Sequence, residues 1–261
     1  MRHALGLEYD GRAFCGFQTQ PDGCSVQDAL ERALAAIADV PVRVTAAGRT
    51  DAGVHATSQI VHFDAPVERP ATAWVRGVNA SLPTTAVVLW CAPAAVDFHA
   101  RFSATGRHYT YLLQNRPERP GLLDGRVGWH FAPLDIDLMR EAARHLVGTH
   151  DFSSFRAAAC QAKTPVKTLR ALDVTRHGGL VRFDLHADAF LQHMVRNIVG
   201  ALVEVGVGKR APGAIANLLA ATDRTSAPAT FAADGLYFRG AGYDARFVLP
   251  ATIRDIPAFI V

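Results

Sequence analysis

Cysteine is scarce in this sequence, four residues in 261, and Cys15, Cys24, Cys91 and Cys160 form no Cys-x-x-Cys pair. That count excludes a small disulfide-stapled fold, and a structural zinc, which wants paired Cys or His spacings, finds none. We read all four as free thiols, the ordinary state of cysteine in a reducing compartment. Long apolar runs are missing as well. The best candidate, residues 189–207, is interrupted by His193, Arg196, Asn197 and Glu204, so nothing reaches the roughly 20 residues of a bilayer span. Residues 1–5 move straight into strand-like alternation, with no apolar signal core or small-residue cleavage site, which predicts a protein that is not exported. The standard phosphate and nucleophile motifs are also lacking. Gly206-Val207-Gly208-Lys209-Arg210 has neither the spacing of a P-loop nor a hydroxyl after its lysine. There is no Gly-x-Ser-x-Gly elbow, and no Gly-x-Gly-x-x-Gly follows a strand, so a serine hydrolase and a dinucleotide-binding domain have no support.

What is present is an ordinary globular balance, 49% apolar and 20% charged residues, with enough material for a sizeable core. Leu5, Leu7 and Tyr9 alternate as in a half-buried strand. Ser25 with Asp28 forms a cap-like start to a helix whose stripe is Val26, Leu30, Ala33, Leu34 and Ile37. Val42, Val44 and Ala46 predict a second strand, residues 58–63 a third and 84–90 a fourth. Tyr109, Tyr111 and Leu113 alternate again, and Leu138, Ala142 and Leu146 mark a helix that stops at Gly148. The cleanest strand is 181–187, followed by a long helix from about Phe190, a shorter one over 212–221 and strand-like residues at 236–238. Strands arrive in clusters rather than in strict alternation with helices. The fold class is therefore α+β on mainly antiparallel sheet, arranged as two α/β halves, 1–100 and 101–261.

Net charge is +3, from 27 basic and 24 acidic residues, and its distribution says more than its sum. Residues 152–172 carry Arg156, Lys163, Lys167 and Arg170 without an acid, and 189–203 carry Arg196 without one. Two such windows suit a one-sided positive surface for a polyanion; a locally solvated face accounts for the same charges. The strongest local signal is Gly48-Arg49-Thr50-Asp51-Ala52-Gly53. Glycines at both ends can bracket a tight loop that aims a carboxylate into a cleft, and Arg49 beside Asp51 would favour its ionised form. An Asx-turn or a cap uses the same residue types, and composition does not choose between the two readings.

The order of motifs adds a resemblance. Tyr9-Asp10-Gly11, Gly16-Phe17-Gln18, Val26-Gln27, residues 48–55, Asn79 with Leu82-Pro83, and Phe98-His99-Ala100-Arg101-Phe102 come first. Arg107-His108-Tyr109-Thr110-Tyr111, His150-Asp151-Phe152-Ser153-Ser154-Phe155, Cys160-Gln161, His193-Met194-Val195-Arg196-Asn197 and Gly235-Leu236 follow. In that sequence they resemble the anticodon stem-loop pseudouridine synthase family, that of bacterial tRNA pseudouridine synthase A, over nearly the whole chain. Three places depart from the family pattern: Phe17 stands where a Trp is usual, the segment 225–233 is looser, and 255–261 matches nothing.

The resemblance implies a pseudouridine synthase fold with a central cleft. It also implies isomerisation of uridine to pseudouridine at nucleotides 38, 39 and 40 of tRNA, with no cofactor and no metal. It gives Asp51 the role of nucleophilic or ribose-activating carboxylate, Arg196 that of its ion-pair partner, Arg49 an RNA contact that helps flip the base, and Tyr109 a place against that base. Arg156, Lys163, Lys167 and Arg170 would form the RNA surface. The catalytic loop then lies in the first half, the substrate tyrosine and the basic surface in the second. A cytoplasmic homodimer with tRNA as partner, away from membranes, completes the expectation. Three rivals remain: a synthase for other RNA sites, an RNA-binding module with a dead site, and a glycoside hydrolase built on Asp51. The last lacks a second carboxylate placed for acid–base work.

Overall fold

The computed structural model describes residues 1–257; residues 258–261, most of the unmatched tail, lie outside the described residues. The described residues form an α+β protein with mainly antiparallel strand pairing. They divide into two compact units, Met1–Arg107 with Tyr237–Ile256, and His108–Leu236.

The first unit contains β1 (Arg2–Tyr9), α1 (Val26–Ala38), β2 (Thr45–Ala46), β3 (His55–Asp64), α2 (Ala71–Ser81) and β4 (Ala86–Pro93), and β5 (Ala104–Asn115) starts in it. Strand β3 is its centre. β1 lies antiparallel along one edge of β3, and β4 antiparallel along β1. On the other edge of β3, β2 pairs with Val61 and His62. Because it is covered on both faces, β3 is buried from His55 to Phe63, polar residues included. Thr57 and Ser58 are satisfied there by the carbonyls of Arg254 and Thr252, at 2.9 and 3.1 Å. Helix α1 starts as its sequence predicts: the Ser25 hydroxyl accepts from the Asp28 N–H at 3.0 Å, and the Asp28 carboxylate accepts from the Ser25 N–H at 3.2 Å. The strand expected over Val42, Val44 and Ala46 shrinks to two residues. Val44 gives its N–H to the buried Glu31 carboxylate of α1 at 3.0 Å, and so is not available to a ladder.

The second unit takes the rest of β5, then β6 (Gly128–His130), α3 (Ile136–Arg144), β7 (Gly148–Asp151), β8 (Val166–His177), β9 (Leu180–Ala187), α4 (Met194–Gly206) and α5 (Ala214–Ala221). Its strands run in the order β5-β9-β8-β7, with β6 on β5. The last strand, β10 (Leu236–Tyr243), pairs in parallel with β3 at Tyr237 opposite His55. That pairing is why residues 237–256 count with the first unit, where a straight division along the chain would assign them to the second half.

The free-thiol reading is corrected at two positions. Cys15 and Cys24 are joined in a disulfide with their Cα atoms 5.6 Å apart. Gly23, at φ 68°, folds the loop back so that the Cys15 N–H reaches the Cys24 carbonyl at 3.2 Å. Cys91 and Cys160 are free thiols. No helix among the described residues is long and apolar enough to cross a membrane.

Candidate active site

The turn that carries Asp51 sits between β2 and β3 and is clamped from several directions. The Ala47 N–H donates to the Ile60 carbonyl at 2.8 Å, which fixes the entry. Gln59, on β3, donates from Nε2 to the Gly48 carbonyl at 2.6 Å. The Thr50 carbonyl accepts from the Phe17 N–H at 3.0 Å, and the Asp51 carbonyl from the Val54 N–H at 3.1 Å. Gly53 closes the turn at φ 80°, a backbone conformation open to glycine, whereas Gly48 contributes its carbonyl rather than a positive φ. The side chain of Asp51 is half-buried and Arg49 is exposed.

Two further glycines let neighbouring segments approach. A Cβ at Gly11 would stand 2.1 Å from the Val54 carbonyl oxygen, and one at Gly16, where φ is 102°, 2.9 Å from that of Thr50. Next to the turn, the His55 ring is buried, stacks on Tyr237 at 4.7 Å and accepts the Gly11 N–H on Nδ1 at 3.1 Å. Desolvation opposes ionisation of Asp10, but hydrogen bonds from the Arg12 side chain and backbone hold its carboxyl below the usual carboxylate range. Arg107 donates to the carbonyls of Ala47 at 3.1 Å and Arg101 at 2.6 Å, and so holds the start of the turn from β5.

Phe17 and Gln59 were not among the residues expected to matter here. Phe17 differs from the family's usual Trp, yet what it gives the turn is a backbone N–H, which no side-chain pattern reports. Gln59 sits in a strand of mixed polarity, and only the register of β3 shows which way it faces.

The second unit holds the other two expected residues. Tyr109, on β5, is 9% exposed and meets Phe190 edge to face at 5.0 Å. Tyr111, two residues on, is a core residue: its hydroxyl donates to the Ala232 carbonyl at 3.0 Å, and burial pushes its pKa up. Arg196 lies in the first turn of α4, and its Nε donates to the Phe231 carbonyl at 2.8 Å. Residues 223–231, which overlap the segment 225–233 whose sequence is looser than the family pattern, strap across this helix. A Cβ at Gly200 would come within 2.9 Å of the Ala229 carbonyl, and Arg224 reaches Pro228, Asn197 and Thr230 at 2.8–3.2 Å.

The basic surface is reduced by one member. Lys163 and Arg170 are exposed and Arg156 is half-buried. Lys167 is buried, and its ammonium donates to the carbonyls of Thr164 and Val166, both at 2.8 Å. The alternation of β8 turns it inward. Among the described residues one group could offer three metal ligands, Cys15, Asp22 and Cys24. The disulfide uses both of its sulfurs.

A family model described as tRNA pseudouridine synthase matches residues 7–103 and 142–244. The chain is 61% identical over 252 residues to a tRNA pseudouridine synthase A of Chromobacterium violaceum, covering 96% of each chain. It is 58% identical over 250 residues to one of Dechloromonas aromatica, covering 96% of this chain and 95% of that one.

Proposed function

The chain belongs to the tRNA pseudouridine synthase family, and from that premise we propose that it isomerises uridine to pseudouridine at nucleotides 38, 39 and 40 in the anticodon stem-loop of tRNA. The reaction breaks the bond from N1 to C1′, turns the uracil and joins C5 to C1′; C5 loses a proton and N1 gains one. Product and substrate are isomers, and the atoms balance without a cofactor. The observation that carries the reading is identity above half of all positions along nearly the full length of enzymes of that name.

Asp51 is the carboxylate that acts on the ribose, by attack at C1′ or by drawing off the C2′ proton. Either route needs an anion held in one place, and the clamped turn supports that role. By the family resemblance Arg196 is the ion-pair partner of Asp51, Arg49 holds the extruded nucleotide and Tyr109 packs against its base. Flipping the base costs a few kcal/mol. Phosphate contacts from Lys163, Arg170 and Arg156 offset that cost. Three adjacent target nucleotides argue for recognition of tRNA shape more than of base edges. The same resemblance assigns a cytoplasmic homodimer.

The test is pseudouridine mapping in tRNA from cells with and without the gene, paired with purified protein on unmodified transcripts. The expected result is loss of the modification at 38–40 in the deletion and its appearance at those nucleotides in vitro. Modification only at other RNA positions, or none, would overturn the reading.

A further inference from the structure

Behind the Asp51 turn lies a buried polar chain. Gln59 is fully buried on β3 and Tyr9, at the end of β1, is 3% exposed. Gln59 Nε2 donates to the Gly48 carbonyl at 2.6 Å and to the Tyr9 hydroxyl at 3.4 Å. The Tyr9 hydroxyl shares a 2.8 Å hydrogen bond with Thr50 Oγ1, and Thr50 is itself buried. The residue after Thr50 is Asp51. The chain thus reaches the turn at two points, the Gly48 carbonyl and the Thr50 side chain, on the N-terminal side of the carboxylate.

From this geometry we infer that Tyr9 and Gln59 are positioning residues for the reaction, fixing Asp51 through Gly48 and Thr50; the inference rests on the assignment of Asp51 made above. One observation favours such a role over simple core packing. Gln59 Oε1 is buried without a hydrogen-bond partner, a cost that an apolar residue of similar size would not carry. Reversing the amide would relieve nothing, because it would set oxygen against the Gly48 carbonyl. Tyr9 is also unsuited to proton transfer: burial, partly offset by the bonds from Thr50 and Gln59, pushes its pKa up to about 12. It remains a neutral phenol and works by hydrogen bonding alone.

The test is the single-turnover rate constant of pseudouridine formation with enzyme in excess over tRNA, which does not depend on the fraction of folded enzyme. Tyr9→Phe should lower that constant about tenfold or more while tRNA affinity stays within about twofold, on the scale of one lost buried hydrogen bond at 1.36 kcal/mol per tenfold. Thr50→Val should lose as much, and Thr50→Ser, which keeps the hydroxyl, should stay within about threefold of wild type. Tyr9→Phe combined with Thr50→Val should be no slower than Tyr9→Phe alone, because the bond to Thr50 is already lost with the Tyr9 hydroxyl. A Tyr9→Phe rate equal to wild type would overturn the inference. So would additive losses, or a loss confined to tRNA affinity. If Tyr9→Phe does not fold, the contrast between Thr50→Val and Thr50→Ser decides by itself. A wild-type enzyme that makes no pseudouridine, or a fully active Asp51→Asn, would instead sink the functional assignment on which the inference stands.

Discussion

Between Ala47 and His55 the backbone is held by Ile60, Gln59 and Phe17, with Tyr9 on the Thr50 side chain and glycines admitting two neighbouring segments. Between Arg156 and Pro165 the holding is sparser: Ala157 donates to the Gln192 carbonyl, the Pro165 carbonyl accepts from Phe152, and residues 161–164 are exposed. The first region is proposed to act on a ribose carbon, the second to meet phosphates. A carboxylate displaced by about 1 Å from a reacting atom loses about a hundredfold in rate. A lysine reaching a phosphate works through a field that extends over several ångströms and tolerates many geometries. The two regions are built to the tolerance of their tasks.

The comparison breaks first at Asp51. Asp51→Asn should reduce multiple-turnover activity at least a thousandfold, about 4 kcal/mol of barrier, while tRNA affinity changes by no more than a few-fold. Residual activity above that level would mean that the clamped turn is not where the reaction occurs.

Next in size is stability around the turn. Gly11→Ala places a methyl 2.1 Å from the Val54 carbonyl and should cost about 3 kcal/mol, as overpacking does. Gly179→Ala, in the second unit and with nothing within 4 Å of the new atom, should stay within about 1 kcal/mol. Calorimetric melting of both variants measures the contrast, and equal losses would dissolve it.

Acid should then separate the units. Burial, followed by the Arg2 and His99 charges, pushes the His62 imidazole down to about 4. In its neutral form His62 accepts the Ala100 N–H on Nδ1 at 3.1 Å. Because the folded pKa lies below the unfolded value near 6.5, this stabilisation is complete above about 6.5 and is lost as pH falls towards 4. Burial lowers His3 and His99 of the same unit as well, and His186 on β9 in the second, but only His62 is carried down as far as about 4. Amide protection factors, corrected for the intrinsic exchange rate at each pH, should fall between pH 7 and 4.5 in β3 and residues 98–101 before they do in β8 and β9; a simultaneous fall would contradict the assignment. The smallest effect is electrostatic. Replacing Lys163 and Arg170 by Ala should lower the slope of log affinity against log salt by roughly one to two, whereas Lys167→Ala should leave it nearly unchanged. A full share of the slope lost with Lys167 would show that its ammonium leaves the Thr164 and Val166 carbonyls to meet RNA.

What could be read from the sequence was what neighbouring residues decide among themselves. The capping box of α1 needs only Ser25 and Asp28, and β9 keeps strict alternation, so both were legible. Strand β8 was not. Its pairing with β9 shifts register between Leu169 and Ala171, so buried positions move from 167 and 169 to 172 and 174 and the period of two is broken. Helix α2 has no side-chain cap and carries Gly77, where a Cβ would strike Ile37 of α1 at 2.5 Å; the need for that glycine exists only once the two helices meet. Helix α4 starts at Met194 rather than near Phe190 because His193 takes a left-handed conformation at φ 63°. In the site, Asp51 and Arg49 were visible as a glycine-flanked turn. The groups that hold the turn come from β1, β3, β5 and the Gly16-Phe17 loop, and the disulfide beside it joins cysteines whose approach depends on one positive φ at Gly23.

The return of β10 to β3 has a consequence for how the chain is made. The first unit is interrupted after Arg107 and resumes at Tyr237, so about 130 residues leave the ribosome between its two parts. At roughly 5–20 residues per second that interval is about 6–26 s. Throughout it, the edge of β3 at His55 and Ala56 has no strand beside it, and Thr57 and Ser58 lack the Arg254 and Thr252 carbonyls that later cover them. The second unit has all of His108–Leu236 at hand before the first can close. The strand that leads out of the Asp51 turn is therefore an open sheet edge during synthesis, the kind of surface that pairs with other chains. Its protection arrives only with the last twenty or so described residues.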